Sequence, residues 1–191
     1  MKTLLTLSFL TISALAASSL GAQAQDWPSK TPFITKSFTG ETIGEVRVET
    51  SGGNLSLRNL EGAVTAGTSG GSVSAEVING DLSAHTSGGN VHMSGLSGSL
   101  ETSTNGGNID VSMTGMGKFV RIHNSGGNIA LEIPKGQGVE LNIHGDRVSA
   151  DFASSAFTGK IDKKRVEGTL NGGGIPITVD GGDGGVQLTL K

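Results

Sequence analysis

Short runs in which apolar and polar residues alternate recur along the chain from residue 46. Val46-x-Val48, Val64-x-Ala66, Leu82-x-Ala84, Leu100-x-Thr102 and Val120-x-Ile122 form one set. Leu55-x-Leu57, Val73-x-Ala75, Val91-x-Met93, Ile109-x-Val111 and Ile129-x-Leu131 form a second, half a period away. Alternation with period two is what a strand with one buried face produces. Within each set, equivalent positions lie 18, 18, 18 and 20 residues apart. Leu60, Ile78, Leu96 and, with an inserted residue, Met116 complete each circuit.

Glycine punctuates the same period. Ser51-Gly52-Gly53-Asn54, Ser69-Gly70-Gly71-Ser72, Ser87-Gly88-Gly89-Asn90, Asn105-Gly106-Gly107-Asn108 and Ser125-Gly126-Gly127-Asn128 separate the two strands of a repeat. Gly62, Gly80, Gly98 and Gly117 mark the opposite bend. A sharp bend often needs positive φ, which glycine adopts without a Cβ clash. The pattern predicts an all-β, single-domain β-solenoid of about 18-residue coils, two short strands per coil, with right-handed winding favoured. An antiparallel meander also offers short strands at this spacing. It gives no reason, however, for Asn to recur once every two strands.

Stacked coils make column neighbours behave as cross-strand pairs. Arg58 is expected beside Glu76, Glu101 beside Arg121 and His92 beside Asp110. The columns Asn54, Ser72, Asn90, Asn108, Asn128 and Thr50, Thr68, Thr86, Thr104, Asn124 predict side-chain ladders at the corner. Five coils give a stack of roughly 24 Å. Residues 25–44, with Trp27, Pro28, Pro32, Phe33 and Phe38, suit a cap on the first coil, because a bare terminal coil is an open sheet edge. The solenoid domain is expected over 45–191, less regular from about 137. Lys160 to Glu167 suits a solvated loop or edge guard, and Ile175–Val179 and Val186–Leu190 are expected to be the closing strands.

The first 24 residues carry a different signal. Lys2 precedes an apolar stretch from Leu4 to Ala17, and Ala22-Gln23-Ala24 is a small-x-small cleavage site. The run is short and broken by Thr6, Ser8, Thr11 and Ser13, which argues against a membrane anchor. Residues 1–24 are therefore expected to be a signal peptide, and the mature chain periplasmic, outer-surface-associated or secreted. The chain has no Cys, so neither disulfides nor a lipidated cysteine are available.

Composition narrows the rest. The 32 glycines among 191 residues accompany only 4 prolines, one Trp and no Tyr, so the core must be narrow and aliphatic. A formal charge of −3, or −4 once Lys2 is removed, leaves no basic footprint for nucleic acid.

Ser-Gly-Gly-Asn coils, the Leu131-Glu132-Ile133-Pro134 step and above all Leu170-Asn171-Gly172-Gly173-Gly174 resemble the bacterial adhesin-like β-strand-repeat family, exported proteins of unknown function. The resemblance covers roughly residues 35–191. It implies a β-helical fold and an envelope or extracellular location, and it brings no catalytic residues.

No motif predicts an active site, a cofactor or a metal centre. There is no Gly-x-Ser-x-Gly elbow. His85 and His123 share an outward column two coils apart, about 9.6 Å, too far for one ion to join. Calcium-binding β-rolls require Gly-Gly-x-Gly-x-Asp, whereas here Gly-Gly precedes Asn-Leu, Ser-Val, Asn-Val or Asn-Ile. Asp180-Gly181-Gly182-Asp183 resembles an oxygen-ligand loop and leaves calcium near Asp180 and Asp183 open. The Thr column suggests an ice-binding face only weakly, since Thr102-x-Thr104 is its sole pair. Two functions remain: a non-enzymatic adhesin-like or structural module binding a protein or glycan, and a polysaccharide-active lyase or hydrolase. The latter needs a cleft built from projecting loops, for which 18-residue coils leave little length.

Overall fold

A computed structural model describes residues 44–152 and 156–191, together with the backbones of Leu5–Leu7, Leu10–Ala14 and Thr35–Thr39. Most of the expected leader and most of the expected cap lie outside the described residues. The protein is all-β. Fourteen strands follow one another from Glu45 to Leu190, and no helix occurs among the described residues.

The strands pair in parallel at the offset that the periodicity predicts. Val46 pairs with Val64, Val64 with Leu82, Leu82 with Leu100 and Leu100 with Val120. On the second face Leu55 pairs with Val73, Val73 with Val91, Val91 with Ile109 and Ile109 with Ile129. Two long strands, Val91–Thr104 and Ile109–Asn124, bend from one face to the other and join both into one sheet. Thr35–Thr39 adds a parallel strand beside Asn54–Arg58. The inward residues of both faces form one continuous aliphatic core. Leu57, Leu100, Val111, Val120 and Leu131 are fully shielded, each side chain contributing about 1.5–3 kcal/mol through burial.

Both glycine series allow close approach of successive repeats, and one of them carries a backbone requirement as well. At the Gly-Gly corner it is the second residue that matters. A Cβ on Gly71, Gly89, Gly107 or Gly127 would fall onto the carbonyl oxygen of the equivalent glycine one repeat earlier. The first residue faces open space at Gly52, Gly70 and Gly106. None of these has positive φ, so close approach of successive repeats, not bend conformation, requires glycine here. At the opposite bend Gly62, Gly80 and Gly98 meet both requirements: their φ is 114°, 136° and 150°, and a Cβ on each would fall onto the carbonyl oxygen of Gly44, Gly62 or Gly80 one repeat earlier.

Both corner ladders are present, and one is internal. Asn54 Oδ1 accepts from the Ser72 amide, Ser72 Oγ from Asn90, Asn90 Oδ1 from Asn108 and Asn108 Oδ1 from Asn128, at 2.8–3.2 Å. The hydroxyls of Thr68, Thr86 and Thr104 donate to the carbonyls of Gly53, Gly71 and Gly89 at 2.9, 2.7 and 3.0 Å. Asn124 Nδ2 donates to Gly107 in the same way. These four side chains are at most 5% exposed. They satisfy backbone carbonyls within the stack and offer no surface to ice.

The Met116 expectation is corrected. Met113 pairs with Leu96 and is fully buried, while Met116 is only partly so. Earlier repeats place a positive-φ residue before this position: Asn59 at 53°, Val77 at 54° and Gly95 at 68°. The fourth repeat omits that residue, which brings Met113 inward, and takes up extra residues later as bulges between Met113 and Val120.

The largest departure is at the C-terminal end. The strands Ile175–Asp180 and Gly185–Leu190 do not close the stack. They pair directly with Val120–His123 and Ile129–Ile133, in the sixth position. Val139–His144 and Arg147–Ala150 lie outside them, parallel to the inserted pair. Arg165–Leu170 and Phe157–Ile161 then add antiparallel strands, the latter exposed and carrying Lys160 at its edge. Corner chemistry explains the order. Gly184 stacks on Gly127 as closely as the earlier glycines stack on one another, and Asn128 Oδ1 accepts from the Gly185 amide at 3.0 Å. At the corresponding place Gly145 is followed by Asp146 and Arg147, which lack that pair of glycines.

The Leu170-Asn-Gly-Gly-Gly stretch makes the crossing possible. Val139 pairs with Leu170 on one side and Ile175 on the other, so residues 171–174 step over the end of that strand. Asn171, Gly172, Gly173 and Gly174 have φ of 50°, 86°, 80° and 143°, a succession that other residues adopt only at a cost.

Three outcomes follow for thermal or denaturant unfolding. Gly71→Ala should destabilise by about 2–3 kcal/mol, whereas Gly70→Ala should change stability by less than ~0.5 kcal/mol; equal effects would contradict the close-approach account. Val77→Asn, which relieves a β-branched residue from left-handed backbone, should stabilise by about 1 kcal/mol. Thr102 Oγ1 is buried without a partner, so Thr102→Val should raise stability by ~1 kcal/mol, a melting-temperature gain of about 2–4 °C.

Candidate functional site

Outward residues form straight files because the strands beneath them are in register. On the second face one file runs Ser56, Ser74, His92, Asp110, Ala130, Gln187 and Ser149. Ala130 is the smallest side chain in it. Between Asp110 and Gln187 it leaves a depression that extends to the corner, where Asn128, Arg147 and Asp183 line it. The groove has a volume of about 660 Å³. Two of these lining groups, Gln187 and Asp183, come from the inserted strands and their turn, so the groove exists only once the C-terminal pair has taken its place.

Charge is distributed around this groove in pairs. His92 Nδ1 lies 3.3 Å from Asp110 Oδ2 on one shoulder, as the sequence predicts. On the other, Lys164 Nζ donates to Asp146 Oδ1 at 2.8 Å. That hydrogen bond, helped by the ammonium charge, holds the Asp146 carboxyl below the usual carboxylate range and raises Lys164. Asp146 therefore stays ionised at neutral pH, the opposite of what a proton-donating carboxyl requires. Its contribution to stability is present above the unfolded carboxylate pKa and is lost as pH falls through the lowered folded value. The lining thus offers carboxylates, a guanidinium and amides as hydrogen-bonding groups, without an aromatic ring.

The other face carries a file of histidines. Gly67, His85, Ser103, His123, Asp180, His144 and Arg165 follow one another in register. His85 and His123 are two repeats apart, as the periodicity predicts. The insertion of the C-terminal strands brings Asp180 and His144 into the same file, which the spacing could not reveal. His123 Nδ1 lies 3.3 Å from Asp180 Oδ2, and His144 Nε2 lies 3.9 Å from Glu167 Oε1. No group of three His, Cys, Asp or Glu among the described residues is arranged to hold a metal ion. Asp180 and Asp183, where the turn left calcium open, are engaged differently. Asp180 accepts from the Gly182 amide at 3.1 Å and faces His123, while Asp183 lines the groove.

The other expected pairs divide. Arg58 and Glu76 form an ion pair at 3.3 Å, with both side chains more than half exposed, worth at most about 1 kcal/mol. Glu101 and Arg121 are register partners, but the Arg121 guanidinium lies over the Phe119 ring, 4.5 Å from its centroid. Among the described residues, no helix is long and apolar enough to cross a membrane. Comparison with family models, curated proteins and solved structures finds no match to this chain. If the groove is a binding surface, Ala130→Arg should fill it while leaving the melting temperature within ~2 °C, since the position faces outward; a larger loss would make Ala130 a packing residue instead.

Proposed function

We propose that the chain is an exported β-solenoid that acts as a non-enzymatic, adhesin-like binding module of the bacterial envelope. Parallel pairing at an 18-residue offset supports the solenoid reading, and the Lys2-to-Ala24 segment supports export. The observation that carries the binding role is the groove over Ala130. It is open, hydroxyl-compatible and lined by fixed polar groups, and it lies on a sheet whose outward files are held rigidly by the ladders beneath. Protein interfaces draw most of their affinity from buried aromatic and arginine anchors, and this lining supplies only Arg147 of that set. A polar glycan is therefore the better-matched ligand, with a protein partner second. A lyase or hydrolase reading is less well supported, because Asp146 is held ionised by Lys164 and Asp110 lies against His92 on the shoulder of the groove.

An array of bacterial and host glycans, read with wild type and Ala130→Arg, tests this reading. Binding to a defined set of glycans, weakened at least tenfold (about 1.4 kcal/mol) by the substitution, is the expected result. Release of new reducing ends or unsaturated sugars from any bound polysaccharide would replace the module with an enzyme. Silence across the array, with no envelope protein captured, would leave a structural role.

A further inference from the structure

The position of the C-terminal strands has a consequence for assembly. Residues 139–191 form one unit. Val139–His144 pairs with both Arg165–Leu170 and Ile175–Asp180, and Arg147–Ala150 pairs with Gly185–Leu190. That unit docks on the fifth repeat through its inserted strands. Val120 pairs with Ile177, Ile129 with Val186 and Ile133 with Leu190. The Gly185 amide donates to Asn128 Oδ1, Asp183 N to the Ser125 carbonyl at 3.3 Å and Lys191 N to the Ile133 carbonyl at 2.9 Å. Every one of these bonds joins the two parts across a single seam.

The covalent link across the seam is brief. Between Ile133 and Val139 lie Pro134, Lys135, Gly136, Gln137 and Gly138, of which Lys135, Gly136 and Gln137 are exposed. Gly136 has φ of 81° and nothing near the place of a Cβ. The link must also pass the inserted rung to reach Val139. The fifth repeat's edge is therefore bare until residues as far away as 185–191 arrive, and its ladder groups recognise the docking unit by corner chemistry and not by which chain carries it. Elements joined by such hinges exchange between copies at low cost.

We propose that the unit 139–191 is an exchangeable element, so that two copies of this chain can trade it, each completing the other's fifth repeat. In one chain the docking is favoured by an effective concentration on the order of millimolar. Exchange is expected when refolding occurs near that concentration, and monomers when it is dilute.

The absence of native Cys makes a clean test possible. Ala130 and Gln187 are register partners on the outward face, about 4.8 Å apart by strand spacing and within disulfide reach. In the chain lacking only residues 1–24, the double variant Ala130→Cys/Gln187→Cys should form an intramolecular disulfide after dilute refolding. The two single variants, one size-tagged, are then refolded together at about 1 mM and oxidised. Exchange predicts disulfide-linked heterodimers, joined between position 130 of one chain and position 187 of the other, in at least fivefold excess over both homodimers combined. None of that excess should form when the two variants are refolded separately and then mixed. A statistical mixture, in which heterodimers equal the homodimers, would overturn the proposal. Failure of the double variant to close would overturn the docking register on which it stands.

Discussion

Successive repeats approach so closely at the Gly-Gly corner that no β-carbon fits between one backbone and the next, and most of the structure depends on this contact. Parallel strands in register lie about 4.8 Å apart, a distance that strand bodies accommodate by pointing side chains inward or outward. A corner has neither direction free. With glycine there, the Thr68, Thr86 and Thr104 hydroxyls can reach the carbonyl of the previous repeat, and Asn54, Asn90 and Asn108 can reach the next amide. Each such bond is worth about 1 kcal/mol net. Their larger effect is on register: a slip of one residue would turn the aliphatic file outward and break both ladders at once.

The same requirement decides the order of the C-terminal strands. Two segments could continue the stack after the fifth repeat, and both alternate well: Val139 to His144 and Ile175 to Asp180. Only the second leads into a corner that lets glycine lie on Gly127 and presents a free amide to Asn128. Hydrophobic pattern alone ranks the two segments equally, and corner geometry separates them. The cost is topological, since the chain must turn back across Val139–His144, and four successive positive-φ residues at 171–174 make that return.

Much of this was legible in the sequence, for an identifiable reason. Where a residue meets its own counterpart in the next repeat, the local pattern and the tertiary contact are the same information. The pairing of Val64 with Leu82, the Asn ladder and the Arg58–Glu76 and His92–Asp110 pairs can all be read from spacing. What cannot be read depends on contacts between unlike segments. Met113 escapes the count because one deletion is followed by larger insertions within the same repeat, which leave Met116 near the counted position. The Thr column reads as a surface ladder because spacing does not distinguish a side chain that donates into the corner from one that leaves it. The groove over Ala130 and the file joining His123, Asp180 and His144 both depend on the inserted strands, and no period links residues 57 apart.

Assembly order ties the site to the fold. The first five repeats stack with partners about 18 residues away, short separations whose loop-closure cost grows only slowly with length. The sixth position waits for the end of the chain. A chain made from its N-terminus can therefore build the stack progressively but cannot finish the groove until Gly185–Leu190 arrives. Gln187 and Asp183 then complete a surface whose opposite wall, Asp110 and Asn128, was formed much earlier. A groove split in this way would link ligand contact to completion of the seam: a ligand that spanned both walls would favour the closed arrangement, because it would have no comparable site on either half alone. The polar groove and the exchangeable unit are thus two aspects of one late step, the seating of Gly184 on Gly127.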